Sequence, residues 1–359
     1  MSRVAPSPAH IATLDVVRIV GAGMVLLYHY LFAAGLSAYP LAGTVEPNEA
    51  LRHFYLGVHL FFMVSGFVIV ASVDRRDAFA FAVARFTRLW PSFVLGVSLT
   101  ASVLLLAGVP VEPSRWLANL LFVAPAFGES FMDGVYWSIV VELVFYAWIA
   151  ALLVVVRVER HVETIVLAWL GVALLNEAWL RDEIVRHAAL TRFGPWFMMG
   201  MLLFAIRARG LSVARAALLL AVFLTSCGNA VDEQYDVASR VGLEPDIWGT
   251  LLGNVAIVAI FLLALAVRIA PRPWLLAAGA STYPFYLLHQ EIGYVVLAKL
   301  AGPWGIATAT IAVTVAIAAA SLAVTRWFDR PARRALARAL DPVVSLIRSP
   351  FLRGTAGQA

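Results

Sequence analysis

Arg18 and His29 stand eleven residues apart in a stretch that is otherwise almost wholly apolar, with Asp15 one turn before the arginine. At about 100° per residue, eleven positions make three helical turns plus roughly 20°. A helix there puts both side chains on one face, separated by about 16 Å along the axis. A guanidinium is a planar fork of five donors suited to phosphate, and an imidazole suits general-base work near neutral pH. The spacing fits a long ligand with an anionic head at one end and a reactive group at the other. A plainer arrangement has Arg18 paired with Asp15 at i, i+3 and His29 bonded to a neighbouring helix. The spacing alone leaves both open.

Four further positions carry groups able to do chemistry. Glu142 is the one charge between Gly134 and Val156. It either orients an imidazole and balances its charge, or is protonated and bonded between helices. His289, in Tyr283-Pro284-Phe285-Tyr286-Leu287-Leu288-His289, either binds substrate or packs as a satisfied core histidine. Arg85 and Arg88, at i, i+3 before Trp90-Pro91, add to an anion-binding mouth with Arg18, although topology alone also favours arginines at such a helix end. Ser65-Gly66 lacks the Gly-x-Ser-x-Gly elbow of a nucleophile and reads as a close helix approach. Arg52, His53 and His59 are expected only to pack or meet solvent. No HExxH, Walker A or GxGxxG pattern occurs, so no metal is expected. The single cysteine, Cys227, excludes an intramolecular disulfide framework.

The elements that hold these residues are membrane helices. Hydrophobic residues make up 62% of the 359 and charged residues 14%, against about 45–50% and about 25% in soluble domains. A surplus that large exceeds what one soluble core can bury. Bilayer crossing takes about 20 mostly apolar residues, because backbone groups in hydrocarbon must be satisfied within the segment. Such stretches fall at 19–45, 53–73, 89–111, 134–156, 247–267, 273–298 and 300–325, and three weaker ones lie near 164–180, 193–206 and 213–231. The expectation is an all-α polytopic membrane protein of about ten transmembrane helices.

Orientation follows from the cations, 26 arginines and Lys299. With a cytoplasmic N-terminus and ten alternating spans, 19 fall on inner segments and 7 on outer ones, as the positive-inside rule requires. Both termini are therefore expected in the cytoplasm, with residues 1–335 forming the membrane domain and 336–359 a basic cytoplasmic tail. The segment after Arg326 reads as a short interfacial helix, interrupted by Pro331 and Pro342, that meets anionic lipid heads. A nucleic-acid role is not expected, despite the net charge of +5.

In order along the chain, several segments resemble the acyltransferase-3 family of integral-membrane O-acyltransferases. They are Leu14-Asp15-x-x-Arg18 with His29; Phe61-Phe62-x-x-Ser65-Gly66-Phe67; Arg85-x-x-Arg88-x-x-Pro91; Trp137-Ser138-x-x-x-Glu142-x-x-Phe145-Tyr146; and Ser281-Thr282-Tyr283 leading to Tyr286-x-x-His289. Asp329-Arg330-Pro331 is similar to the family's acidic-x-Pro ending, with Asp where Glu is commoner. The resemblance implies transfer of an acyl group, commonly acetyl, from a cytoplasmic acyl-CoA-type donor to a hydroxyl of a carbohydrate, glycoconjugate or small molecule. It implies no permanently bound cofactor, acyl-CoA being a co-substrate, and a multi-pass location in the cell (inner or plasma) membrane among lipid. His29 and Glu142 are then the expected catalytic residues, and Arg18, Arg85 and Arg88 the donor-binding ones. Asp15, Trp137, Ser138, Tyr146 and His289 are expected around the substrate. Some relatives append an extracytoplasmic esterase-like domain, and none is expected here. The rival expectation is a glycolipid or polysaccharide transporter, which ten spans with buried charges would equally serve; a scaffold without chemistry fits the buried charges poorly.

Overall fold

The computed structural model describes residues 11–36, 41–73 and 77–353; Arg3, Arg75, Arg76 and the last six tail residues lie outside them. Among the described residues there is no strand. In chain order the helices are α1 (Ala12–Leu31), α2 (Gly57–Val73), α3 (Ala78–Leu106), α4 (Pro113–Leu120), α5 (Tyr136–Val155), α6 (Val162–Leu175) and α7 (Glu183–Ala188). They continue as α8 (Gly194–Arg209), α9 (Val213–Val241), α10 (Ile247–Ala266), α11 (Pro273–Leu288), α12 (Glu291–Trp304), α13 (Ile306–Ala323) and α14 (Arg330–Arg353). Side-chain caps start several of them: Asp77, Ser212 and Asp246 accept from backbone N–H groups of α3, α9 and α10.

Eight helical segments are long and apolar enough to cross a membrane. Their outward faces suit lipid, since Leu167, Leu252 and Ile311 are 62%, 70% and 66% exposed. The chain is a multi-pass membrane protein. The other two predicted spans are present in altered form. Predicted span 193–206 is α8, whose 16 residues are buried on nearly every face. It packs on α2 at a crossing where a Cβ on Gly66 would collide with the Phe197 carbonyl, and one on Gly200 with the Met63 carbonyl. Small residues there let the two backbones touch. The stretch 273–298 is broken at His289–Gln290 into α11 and α12, both of which pack along α13.

Several boundaries differ from the sequence reading. The first helix begins at Ala12 and ends at Leu31, because Asp15 and Arg18 satisfy each other inside it. After Leu31 the described residues of that span, 32–36 and 41–45, form a short 3-10 turn and hydrogen-bonded turns. The third helix starts at Ala78, eleven residues before the apolar run, so Arg85 and Arg88 are helical. The segment after Arg326 is not a separate interfacial helix. A π-turn, Val324–Asp329, joins α13 to α14, and the helix continues through Pro331 and Pro342 to Arg353. Pro331 follows that π-turn after Arg330.

Candidate active site

The starts of α1 and α14, with α2, α3, α5 and α11, surround a cavity of about 400 Å³ at the arginine-rich end of the bundle. Five guanidinium groups line it: Arg18, Arg85, Arg88, Arg330 and Arg333. Three carboxylates face them, from Asp15, Glu142 and Asp329, leaving a formal excess of two positive charges. Arg18 Nη1 donates to Asp15 Oδ1 at 3.0 Å, so the i, i+3 pairing is real and both partners still line the cavity. Arg85 is 7% exposed, donates from Nη2 to Ser72 Oγ at 2.7 Å, and lies over the Phe81 and Tyr146 rings. Arg88 makes no ion pair among the described residues. An unbalanced positive cavity in a low-dielectric bundle is built for an anion.

Glu142 sits between α2 and α5. Its Oε1 accepts from Ser65 Oγ at 2.6 Å and from the Tyr146 hydroxyl. The expectation that Glu142 orients His29 is therefore corrected: Glu142 belongs to the arginine cavity, and the ring partner of His29 is another histidine. Ser65, read as a spacer, supplies one of the two donors, while its neighbour Gly66 supplies the close approach. Ser138 Oγ bonds the Tyr286 hydroxyl at 2.8 Å, and both residues line the cavity. Trp137 does not line it; its ring packs 4.9 Å from Phe193 and 6.3 Å from Phe62.

His29 Nδ1 is 3.1 Å from His289 Nε2, across 260 residues of chain. His289 Nδ1 is 2.8 Å from the Tyr286 carbonyl oxygen. A carbonyl only accepts, so His289 Nδ1 carries the proton and, in the neutral ring, Nε2 is an acceptor. His29 Nδ1 must then donate to it, which leaves His29 Nε2 with an unshared lone pair. The relay places a base at the half-buried His29. Tyr30 donates its hydroxyl to the His289 carbonyl, and the Tyr294 hydroxyl donates to the His29 carbonyl at 3.3 Å. The break at His289–Gln290 is what frees the His289 carbonyl for Tyr30.

Neither histidine lines the arginine cavity. Tyr286 does, with its ring 5.5 Å from that of His289, and Phe61 packs edge-on against Tyr286 at 5.7 Å. Arg18 and His29, though spaced for one helix face, thus do not line a common cavity, and Tyr286 is a lining residue whose ring packs near that of His289. Beyond the pair, Asp133 is 1% exposed and accepts from the backbone N–H of Val135 at 3.0 Å and of Glu291 at 2.9 Å. Burial pushes its carboxyl up to about 7. Asp133 ties the loop before α5 to the first residue of α12.

Asp133, Asp329, Arg330 and Arg333 were missed as site residues. The last three had a signal: with Thr325 they recur at helical spacing on one face, as a continued helix would present them. Asp133 had none. His59, expected to pack or meet solvent, is fully buried, stacked on Trp196 at 3.9 Å with Nε2 3.1 Å from Glu233 Oε2.

Together, an all-helical membrane bundle, a cationic cavity and an imidazole relay define a polytopic membrane protein equipped to handle an anionic ligand. The family described as an acyltransferase domain matches residues 11–329, nearly the whole chain. The chain belongs to the acyltransferase-3 family and is a membrane acyltransferase, transferring groups other than amino-acyl groups. That decides between the enzyme and the transporter readings. No curated protein and no solved structure matches the chain.

Proposed function

We propose that the protein moves an acyl group, acetyl by preference, from a cytoplasmic acyl-CoA-type donor to a hydroxyl of a carbohydrate or glycoconjugate outside. The observation that carries this reading is the two-charge positive excess of the cavity lining, set beside a histidine relay that leaves His29 Nε2 unprotonated. The donor's phosphates sit on Arg18, Arg85 and Arg88, and its pantetheine arm runs past Glu142 toward Tyr286. Displacement of the Phe61 and Tyr286 rings brings the thioester to His29.

His29 Nε2 takes the proton of the acceptor hydroxyl, the alkoxide oxygen bonds to the thioester carbonyl carbon, and the carbon–sulfur bond breaks. The thiolate leaves with the CoA and takes up the proton held by His29. His289 keeps the His29 tautomer and shares the imidazolium charge through the 3.1 Å contact. General-base assistance of this kind contributes about 10²–10⁴ in rate; positioning and exclusion of water supply the remainder.

The test is purified protein with labelled acetyl-CoA and candidate acceptors, compared with His29→Ala. Acceptor-dependent transfer by the wild type and none by the variant is the expected result. Equal transfer by a correctly folded His29→Ala protein ends the proposal. Arg88→Ala serves as a second arm: a KM for donor raised about tenfold with kcat little changed marks loss of ground-state donor binding.

A further inference from the structure

The start of α14 faces the donor cavity, yet the acyltransferase match stops at 329, so Arg330 and Arg333 lie just past it. Asp329 fixes this region. It is 5% exposed, accepts from Ser92 Oγ of α3 at 2.7 Å, and takes both Nε and Nη2 of Arg333, at 2.9 and 2.7 Å. The bidentate grip sets the plane of the Arg333 guanidinium and leaves Nη1 for another acceptor. Arg330 is exposed and makes no ion pair among the described residues.

Four of the five cavity arginines fall in an order of exposure. Arg85 is 7% exposed, the Arg18 side chain 18%, the Arg333 side chain 35%, and Arg330 lies at the rim. A ligand that enters with its reactive end foremost leaves its farthest charge at the rim. In a CoA thioester the diphosphate is nearer the thioester, and the 3′-phosphate of the ribose is the far charge. We propose that Arg330 and Arg333 form a second phosphate subsite that reads the ribose 3′-phosphate, while Arg18, Arg85 and Arg88 hold the diphosphate. This rests on the donor being a CoA thioester. It makes α14 a part of the donor site and a determinant of which nucleotide carriers are accepted.

The experiment measures binding of CoA and of 3′-dephospho-CoA to the purified full chain and to Arg330→Gln and Arg330→Gln/Arg333→Gln. The wild type is expected to prefer CoA by about tenfold or more, each tenfold being about 1.4 kcal/mol. The double variant should bind the two alike, with affinity for 3′-dephospho-CoA held within about twofold, because the inner arginines are untouched. Arg330→Gln alone, which breaks no ion pair among the described residues, should lose part of the preference even if the double variant fails to fold. A wild type that binds both nucleotides equally, or variants that keep the full preference, overturns the subsite and leaves the CoA-donor reading intact. A wild type that binds neither nucleotide overturns the donor reading and the subsite with it.

Discussion

His29 Nδ1 and His289 Nε2 meet at 3.1 Å, and that contact couples the first helix to the break between α11 and α12. Because His289 also donates to the Tyr286 carbonyl, the proton positions follow from the chain geometry rather than from the surrounding medium. Replacing His289 by Gln keeps an acceptor for His29 Nδ1, whereas Ala removes it. Transfer should fall about 10²-fold or more in His29→Ala and less in His289→Ala, and should be partly restored in His289→Gln. Initial rates at saturating donor check the order, which a purely packing role for His289 would not produce.

Glu142 accepts from two hydroxyls that belong to α2 and α5. Glu142→Ala strands both donors and should cost on the order of 1–3 kcal/mol for each buried hydroxyl left without a partner. Glu142→Gln retains an oxygen acceptor and should recover much of the thermal midpoint in detergent. Equal midpoints for the two variants would contradict the role assigned to those bonds.

Burial disfavours the charged form of Asp133 and pushes its carboxyl up to about 7. A carboxyl whose folded pKa is raised binds more protons folded than unfolded, so stability falls with rising pH between its ordinary value near 4 and about 7. Asp133→Asn removes that dependence while keeping an oxygen for the Glu291 N–H. The variant's unfolding midpoint should therefore gain on the wild type as pH rises from about 4 to about 7, and the gap should level off above it. A gap that does not widen with pH would sink the assignment.

The α2–α8 crossing depends on Gly66 and Gly200, where an added Cβ meets the opposing backbone carbonyl. Backbone cannot swing aside as a side chain can, so Gly66→Ala must push the helices apart. The expected loss is about 1–3 kcal/mol, the usual range for overpacking. Gly23→Ala, where nothing lies within 4 Å of the added carbon, should leave stability within about 0.5 kcal/mol. Thermal unfolding in one detergent compares the two.

Much of the architecture was readable in the chain. Long apolar runs announce membrane helices because hydrocarbon leaves a backbone no partner but itself. His29, Glu142 and His289 stood out because charge and imidazole are costly in such runs, as did Arg18 at the edge of one, and Arg85 and Arg88 as paired arginines where a helix enters the membrane. The α11–α12 break did not stand out, since Gln290 and Glu291 interrupt an apolar stretch no more than Glu142 does within the unbroken α5. The cavity role of Arg330 and Arg333 was hidden because arginines after a last span ordinarily mark only topology.

The sequence by itself announced an all-helical membrane protein and the rough place of its helices, because both follow from local composition and the length of apolar runs, and its ordered motifs carried the family resemblance. The tertiary structure alone decided that His29 takes His289 and not Glu142 as its partner, and that the arginine cavity is lined by Phe61 and Tyr286 but by neither histidine. Periodicity fixes the face a side chain occupies on its own helix. The helix it meets depends on how faces from hundreds of residues away interlock, and no local pattern records that.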